Sequence, residues 1–418
     1  MTAGPVSSAA GLVLAHPSGN QFFRHLARTL HEAGALAEAC TGIDWRHGRT
    51  LGRCLPRRLA AELGRRDFSA ALGVPVTSHP LREALRLAAG RAGLASLVRH
   101  ETGWLSVDAV YRDFDRWVAR RMERRRQGGG VYAYEDAAEA MFTAAGRLGW
   151  RRIYDLPIAY WETSHRLLAE EAQRWPAWEF TLESTRNSAA KCERKTRELA
   201  LADVVVCPSA FVAESLPVEA RAAKRVIVAP FGSPPAGPPP RTRKTDAPLR
   251  VLFAGSLTQR KGLADLFAAM RLLRRSDVEL VVLGSPVAEP AFYRRDCAAF
   301  TYERPRPHGE VLALMRTCDV FCLPSIVEGR ALVVQEAMSQ GLPAIITRNT
   351  GADDVVVDGA GGFIVPIRDP RALAEKIGWF ADHRDAIPAM GAAAQAAAAR
   401  LGWAGYGAKI LAGWRASP

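Results

Sequence analysis

Short apolar runs alternate with amphipathic helical patterns along most of the chain. The runs GLVLA (11–15) and ADVVVCPS (202–209) lie in the first half, and RVLFAG (250–255) and VELVVLG (278–284) lie in the second. Helical patterns such as KGLADLFAAMRLLRR (261–275) separate them. Short β-branched runs between helices are typical of parallel sheets that helices cover on both faces. The pattern therefore predicts an α/β fold of doubly wound, Rossmann-like units.

A segment rich in proline, glycine and charge divides this pattern in two. GSPPAGPPPRTRKTDAP (232–248) offers little that can pack, so it is interpreted as an interdomain linker. The predicted domains are residues 1–231 and residues 249–400. Open parallel sheets bind ligands beyond the carboxyl ends of their strands. We therefore expect the functional site in a cleft between two facing domains.

Composition narrows the class of protein. A length of 418 residues fits two or three domains of about 150 residues, and 48% apolar residues fit a well-cored globular chain. No apolar run approaches the roughly 18 residues that a membrane-spanning helix needs. The N-terminus lacks a basic leader, and the seven cysteines lack metal-ligand spacing. The sequence therefore predicts a cytoplasmic protein with no metal site and no disulfide framework.

The net charge of +13 leaves two interpretations open for the arginine-rich segment VARRMERRRQ (118–127). The first is a solvated helix face. The second is peripheral contact with an anionic membrane surface, at the inner membrane face. No aromatic or glycine pattern of nucleic-acid binding accompanies the arginines, so no nucleic-acid partner is predicted.

Two carboxylates interrupt the apolar stretch PSIVEGRALVVQEAM (324–338). Glu328 precedes a predicted helix and Glu336 lies inside it, with the helix N-terminus between them. The backbone N–H groups of residues 329–331 favour an anion there. The order carboxylate, helix N-terminus, carboxylate matches the order sugar, diphosphate, ribose in a nucleotide sugar. Carboxylates accept hydrogen bonds from hydroxyl groups. The alternative is that Glu336 pairs with a nearby arginine.

The surrounding segment, residues 324–377, resembles the signature region of glycosyltransferase family 4, which has the GT-B architecture. The matching positions are Pro324, Ser325, Glu328, Gly329, Leu332, Glu336, Ala337 and Met338. Arg330 and Ala331 stand where the family typically has phenylalanine and glycine. A second block, residues 252–270, is similar in its Lys261-Gly262 pair, with Ser256 in place of an arginine and Arg260 beside the lysine.

The resemblance implies roles for these residues. Lys261, with Arg260, would bind the donor diphosphate and stabilise the leaving group, because fixed cations favour the charge that develops there. Glu328 would hold sugar hydroxyls near the reacting carbon, and Glu336 the ribose hydroxyls. The complete predicted donor site is Ser256, Arg260, Lys261, Glu328, Gly329, Arg330, Ala331, Leu332 and Glu336.

The same resemblance implies a retaining transferase that needs neither a metal nor a cofactor. Its donor would be a UDP- or GDP-linked sugar, and its acceptor a glycan, a lipid-linked molecule or a small molecule. A final helix, residues 401–418, would cross back to the first domain. Two alternatives stay open: a nucleotide-sugar epimerase of this architecture, and a non-catalytic binding or partner protein that keeps the fold.

The N-terminal half offers weaker candidates for an acceptor site. Many family members place a histidine after the strand that corresponds to RRIYD (151–155), where this chain has Tyr154 and then Asp155. His16 follows the first strand and is predicted to face the cleft; the alternative is a structural turn. The predicted acceptor set is His16, Ser18, Gly19, Asn20, Tyr154 and Asp155. Ser18 is also expected to cap the following helix.

Overall fold

The N-terminal half forms one seven-stranded parallel sheet in the computed structural model. The model describes residues 11–45, 66, 68, 72–74, 76–125, 128–239 and 247–416. The strands are β1 (Leu12–His16), β2 (Leu36–Thr41), β3 (Val76–Ser78), β4 (Gly130–Tyr134), β5 (Arg151–Asp155), β6 (Val204–Cys207) and β7 (Arg225–Val228). Their order is β3-β2-β1-β4-β5-β6-β7, and every described pair is parallel.

Helices cover both faces of this sheet. They are α1 (Gln21–Glu32), α2 (Leu81–Arg91), α3 (Ala95–Val98), α4 (Val107–Glu123), α5 (Glu139–Leu148), α6 (Trp161–Arg174), α7 (Ala189–Leu201), α8 (Ala210–Ser215) and α9 (Val218–Ala223). Strand alternation sends successive side chains to opposite faces. Val13 and Ala15 therefore lie in one buried cluster and Leu12 and Leu14 in the other.

The C-terminal half forms a second, six-stranded parallel sheet. Its strands are β8 (Leu249–Ala254), β9 (Val278–Leu283), β10 (Thr301–Glu303), β11 (Val320–Leu323), β12 (Ala344–Thr347) and β13 (Gly362–Val365). Their order is β10-β9-β8-β11-β12-β13. The helices are α10 (Leu263–Leu273), α11 (Pro290–Asp296), α12 (His308–Met315), α13 (Leu332–Ser339), α14 (Pro370–Asp382), α15 (Ile387–Ala399) and α16 (Trp403–Arg415).

Helix α16 returns to the N-terminal domain and packs against α1. The Trp403 ring stacks on His25 with centroids 4.2 Å apart. Tyr406, Ile410 and Trp414 are buried in the cluster that contains Leu12 and Leu14. The last helix therefore completes one face of the first sheet.

The chain also crosses between the domains in the opposite direction, and the sequence does not predict this crossing. After α6, a 3-10 helix (Pro176–Thr181) places Trp178, 0% exposed, inside the C-terminal hydrophobic core. Its Nε1–H donates to Asp296 Oδ2 at 2.6 Å. We call residues 161–181 the crossover segment. It lies within the domain predicted as residues 1–231, yet part of its packing belongs to the second domain.

Further ion pairs fasten the crossover segment to the C-terminal domain. Arg368 pairs with Glu170 at 2.5 Å and also with Glu171. Arg174 lies 3.2 Å from Asp265. Because Glu171 is fully buried, removing its partners would leave an uncompensated charge inside the protein.

Two local predictions were wrong at helix ends. Asn20, not Ser18, caps α1, because its Oδ1 accepts from the backbone N–H of Phe23 at 2.9 Å. Helix α13 begins at Leu332, so residues 329–331, whose N–H groups were expected at the helix N-terminus, precede its first residue. In the part of the chain that the structure describes, no helix has both the length and the apolar character to cross a bilayer.

Candidate active site

A cavity of about 370 Å³ opens at the carboxyl ends of β8, β9 and β11. Six of the predicted donor-site residues line it: Ser256, Lys261, Glu328, Arg330, Ala331 and Leu332. Pro305, Arg306 and Val311 also line it. These three were not predicted, because no sequence pattern around them distinguishes a ligand contact from an ordinary loop and helix start.

Glu328 lies between two cations at the edge of this cavity. Its Oε1 is 2.5 Å from Lys261 Nζ and 2.8 Å from Arg260 Nη1. Burial lowers the pKa of Lys261, and the Glu328 carboxylate opposes that shift. The lysine predicted to bind the diphosphate and the glutamate predicted to bind the sugar therefore pair with each other. An anionic ligand would have to share or replace this contact.

Backbone geometry holds the lysine and the glutamate together. Gly262 has a φ of 73°, and a Cβ there would lie 2.0 Å from the carbonyl oxygen of Pro324. Only glycine fits this position without strain. The N–H of Ile326 donates to the carbonyl of Arg260 at 2.9 Å. The loop that contains Glu328 is thus tied to the turn that contains Lys261.

Arg330 is buried beneath the loop. Its Nη1 donates to the carbonyl of Gly351 at 2.9 Å and to Asp354 Oδ1 at 2.8 Å, and its Nε donates to Gln335 Oε1 at 2.5 Å. Burial lowers the pKa of Arg330, and Asp354 opposes this. The guanidinium therefore fixes the loop by contacts with protein groups.

The predicted anion-binding N–H groups need one correction. The N–H of Ala331 donates to the carbonyl of Thr350 at 2.9 Å, so it is not available to a ligand. Helix α13 begins at Leu332, one residue after Ala331. Leu332 and Val333 both line the cavity. The positive end of the helix dipole is therefore at Leu332.

Glu336 is not among the residues that line the cavity, and it is paired with a histidine. His308 Nε2 is 3.1 Å from Glu336 Oε1, where the alternative prediction expected an arginine. Burial raises the pKa of Glu336, and His308 opposes that rise. His308 escaped prediction because it is 28 residues away in the sequence and meets Glu336 only through the packing of α12 on α13.

His16 forms its contacts inside its own turn. Its Nδ1 lies 3.1 Å from the N–H of Gly19 and 3.3 Å from that of Ser18, and its Nε2 lies 3.0 Å from Asn20 Nδ2. The ring packs on Tyr134 with centroids 4.2 Å apart. Burial lowers the pKa of His16 to about 3, so the ring is neutral. These contacts favour the structural-turn interpretation.

Tyr154 lies in the hydrophobic core and not in the cleft. It is 0% exposed, and its hydroxyl donates to Glu198 Oε2 at 3.2 Å. Alternation along β5 directs it into the buried cluster that also contains Val205 of β6. Asp155, the next residue, is also buried, and burial raises its pKa to about 7.

The loop after Glu328 touches the N-terminal domain. The Ser209 hydroxyl donates to the carbonyl of Gly329 at 2.6 Å. The N–H of Ala159 lies 3.4 Å from the carbonyl of Glu328. A Cβ on Gly329 would lie 1.7 Å from the carbonyl oxygen of Pro157. Close approach of the two domains therefore requires glycine at this position.

Gly329→Ala is expected to push the Glu328 loop away from Pro157. Overpacking of this kind costs about 1–3 kcal/mol in the free energy of unfolding. Thermal unfolding measures the loss, and nucleotide titration measures the effect on the cavity. Gly309→Ala is the control, because nothing lies within 4 Å of its added Cβ. Equal melting temperatures for the two variants would contradict the expectation.

Two doubly wound domains, with a cation-lined cavity at the edge of the second sheet, form the GT-B architecture. Residues 239–397 match the family model of glycosyl transferases group 1. This part of the chain is therefore a group 1 glycosyltransferase domain, and the resemblance found in the sequence is confirmed.

Curated relatives are named glycosyltransferases. D-inositol 3-phosphate glycosyltransferase of Corynebacterium diphtheriae is 26% identical over 302 residues, covering 66% of this chain and 69% of the relative. The putative colanic acid biosynthesis glycosyltransferase WcaL of Escherichia coli is 30% identical over 168 residues, covering 34% and 38%. Across the relatives compared, matches span from 28% to 71% of the relative's length.

Solved structures share the fold over nearly the whole chain. Sucrose-phosphate synthase from Thermosynechococcus elongatus aligns with a TM-score of 0.58 and 18% identity, covering 97% of this chain and 98% of that one. Anabaena Alr3699/HepE in complex with UDP aligns with a TM-score of 0.61 and 15% identity, covering 97% and 99%. At these identities the likeness confirms the GT-B fold alone.

Proposed function

We propose that this protein transfers a sugar from a nucleotide-diphosphate sugar to an acceptor hydroxyl. The contact of Glu328 with Lys261 and Arg260, at the edge of the cavity where α13 begins, is the observation that carries the proposal. Two cations suited to a diphosphate and a carboxylate suited to sugar hydroxyls lie within ion-pair distance of one another, which supports the proposal. The group 1 domain over residues 239–397 supports the same reaction.

The proposed chemistry needs positive charge where the leaving group forms. The bond between the sugar anomeric carbon and the diphosphate oxygen breaks, and the diphosphate takes the electron pair. The acceptor oxygen bonds to that carbon and loses its proton to a diphosphate oxygen or to solvent. Lys261, Arg260 and the start of α13 stabilise the developing negative charge. We assign these groups the work that a divalent metal does elsewhere, and we propose retention of configuration.

The donor is proposed to carry UDP or GDP. Alr3699/HepE, which shares the fold, was crystallised with UDP and with UDP-glucose, so UDP is the first nucleotide to test. The acceptor is proposed to be a glycan, a lipid-linked molecule or a small molecule. No feature of the described residues favours an epimerase over a transferase.

A thermal-shift series followed by a turnover assay tests the proposal. A ligand at 100 times its Kd adds about 2.7 kcal/mol to the free energy of unfolding. The protein's melting temperature should therefore rise most with the nucleotide or nucleotide sugar that binds most tightly. Release of nucleoside diphosphate that depends on an acceptor supports a transferase. Conversion of the donor without any acceptor would support the epimerase, and binding without conversion the non-catalytic alternative.

Donor affinity is expected to fall with acidification through the titration of Glu336. Only the ionised carboxylate offers full acceptor capacity to ribose hydroxyls. Because burial raises the pKa of Glu336, the loss begins at a higher pH than for an exposed glutamate. His308→Ala removes the contact that lowers this pKa, so its affinity should decline at a still higher pH.

Calorimetric titration of UDP across pH measures this shift. His383→Ala is the control, since His383 stacks on Trp379, on α14. Identical pH profiles for His308→Ala and the unmodified protein would show that Glu336 does not control nucleotide binding.

Membrane contact through the arginine-rich segment 118–127 stays a prediction. Arg121 and Arg125 each lie 2.5 Å from a carboxylate oxygen of Glu38, so both are engaged within the protein. Residues 126 and 127 lie outside the described residues. The arginines of this segment alone therefore do not distinguish a solvated helix face from a membrane-binding face.

A further inference from the structure

Exposed apolar side chains concentrate in one segment of the N-terminal domain. Of the twelve large apolar side chains that are exposed in the described ranges, six lie within residues 81–107. These six are Leu81, Leu85, Leu94, Leu97, Trp104 and Val107, and they are 36% to 68% exposed. The other six are scattered along the chain. We call the group within residues 81–107 the apolar patch.

Contacts within the segment link α2 and α3 to the residues just before α4. The Arg82 guanidinium lies 5.3 Å from the centroid of the Trp104 ring, and its Nη2 donates to the Trp104 carbonyl at 2.7 Å. The N–H of Leu105 donates to the carbonyl of Leu97 at 2.8 Å. Helix α3 has no buried residue at all. An apolar helix without buried side chains, next to an exposed tryptophan, is typical of a surface that binds another protein or a membrane.

The exposed charge that follows the apolar patch along α4 is mostly positive. The two carboxylates of the segment, Glu83 and Glu101, are largely shielded, with side chains 7% and 16% exposed. The outer face of α4 carries Arg116, Arg120 and Arg124, which are exposed and spaced four residues apart. Among the described residues, no carboxylate forms an ion pair with these three arginines. The surface therefore combines apolar side chains with unneutralised cations.

The apolar patch lies at the edge of the sheet that faces the cleft. Helix α2 begins just after the carboxyl end of β3. The beginning of α4 meets the carboxyl end of β4, since Arg194 binds both Asp108 and Asp136, at 3.4 and 3.0 Å. The same edge of the sheet contributes Pro157, which packs on Gly329 beside the donor cavity.

We propose that the apolar patch docks on a bilayer surface that contains anionic phospholipids. Apolar side chains would enter the interface between headgroups and acyl chains, and the α4 arginines would meet lipid phosphates. A second copy of the chain is a poorer occupant, because two such surfaces would bring cations against cations. The proposal rests on the proposed function in one respect: it makes the acceptor a hydroxyl compound held at the membrane.

Co-sedimentation of the full chain with vesicles tests the docking. The vesicles are phosphatidylcholine alone and phosphatidylcholine with phosphatidylglycerol. The double variant Leu94→Asp/Leu97→Asp removes apolar contact from α3, which buries nothing, so the fold should persist. We expect its partition onto the anionic vesicles to fall about tenfold or more. Leu272→Asp, on exposed α10 surface, is the matched control and should bind as the unmodified chain does.

A charge variant separates the electrostatic contribution. Arg116→Gln/Arg120→Gln should reduce the preference for anionic over neutral vesicles, and added salt should do the same. Failure of the unmodified chain to bind anionic vesicles would overturn the proposal. So would equal binding by the α3 double variant, or a change of oligomeric state on mutating the apolar patch. Vesicle binding requires no donor, so its outcome is independent of the nucleotide experiments.

Discussion

Replacing Lys261 with alanine is expected to lower kcat by about 10²- to 10³-fold, the usual effect of removing one preorganised charge from a developing anion. The lysine side chain is 12% exposed at the donor cavity and lies 2.5 Å from the carboxylate of Glu328. When the diphosphate leaves, its charge is greater than in the bound donor. The lost interaction should therefore affect turnover more than KM.

The measurement is steady-state release of nucleoside diphosphate, with thermal shift as a separate reading of nucleotide binding. Lys409→Ala is the matched control, since Lys409 is exposed on α16. A Lys261→Ala enzyme with unchanged kcat would rule out the assigned role. A rise in KM alone would place Lys261 in donor binding and not in stabilisation of the leaving group.

Trp178→Ala should destabilise the protein by about 3–5 kcal/mol, as large-to-small substitutions of buried aromatic residues do. The ring is fully buried among residues of the C-terminal core, with Phe292 4.8 Å away between centroids. The substitution also leaves Asp296 without its 2.6 Å hydrogen bond from the indole. We expect a lower midpoint of denaturation for the whole chain, measured by circular dichroism in urea.

Trp178→Phe separates the two contributions. It keeps aromatic volume in the C-terminal core and removes only the hydrogen bond to Asp296, so its loss of stability should be much smaller. A Trp178→Ala protein as stable as the unmodified chain would show that the crossover segment is not essential to the second domain.

The sheets were the most predictable part of the fold. Runs such as VELVVLG are buried on both faces of a parallel sheet, so their composition alone identifies them as strands. Helix ends were less predictable. The choice between Ser18 and Asn20 as the cap of α1 depends on backbone dihedral angles that the sequence does not contain. Trp178 was missed because a single tryptophan after a helix carries no sign of which core it will enter.

The candidate site was likewise predictable in part: the sequence motif was informative, and contacts made by packing were not. The motif predicted that Lys261 and Glu328 serve one ligand, but their direct contact depends on packing between segments 67 residues apart. Tyr154 was predicted to lie in the acceptor site because the resemblance puts it where many family members have a histidine, whereas strand alternation turns the tyrosine inward. His308 could not be found from a pattern, since it meets Glu336 only after two helices pack. Roles assigned by resemblance still require the experiments above.

The two crossings of the chain have a consequence for dissection of the protein. Each half supplies part of the other's interior: Trp178 lies in the second core and α16 covers the first sheet. A cut at the linker would therefore strip each fragment of side chains that fill its centre. We therefore expect neither half to fold fully on its own, and we expect co-expressed fragments to reassociate and regain the structure that each lacks alone.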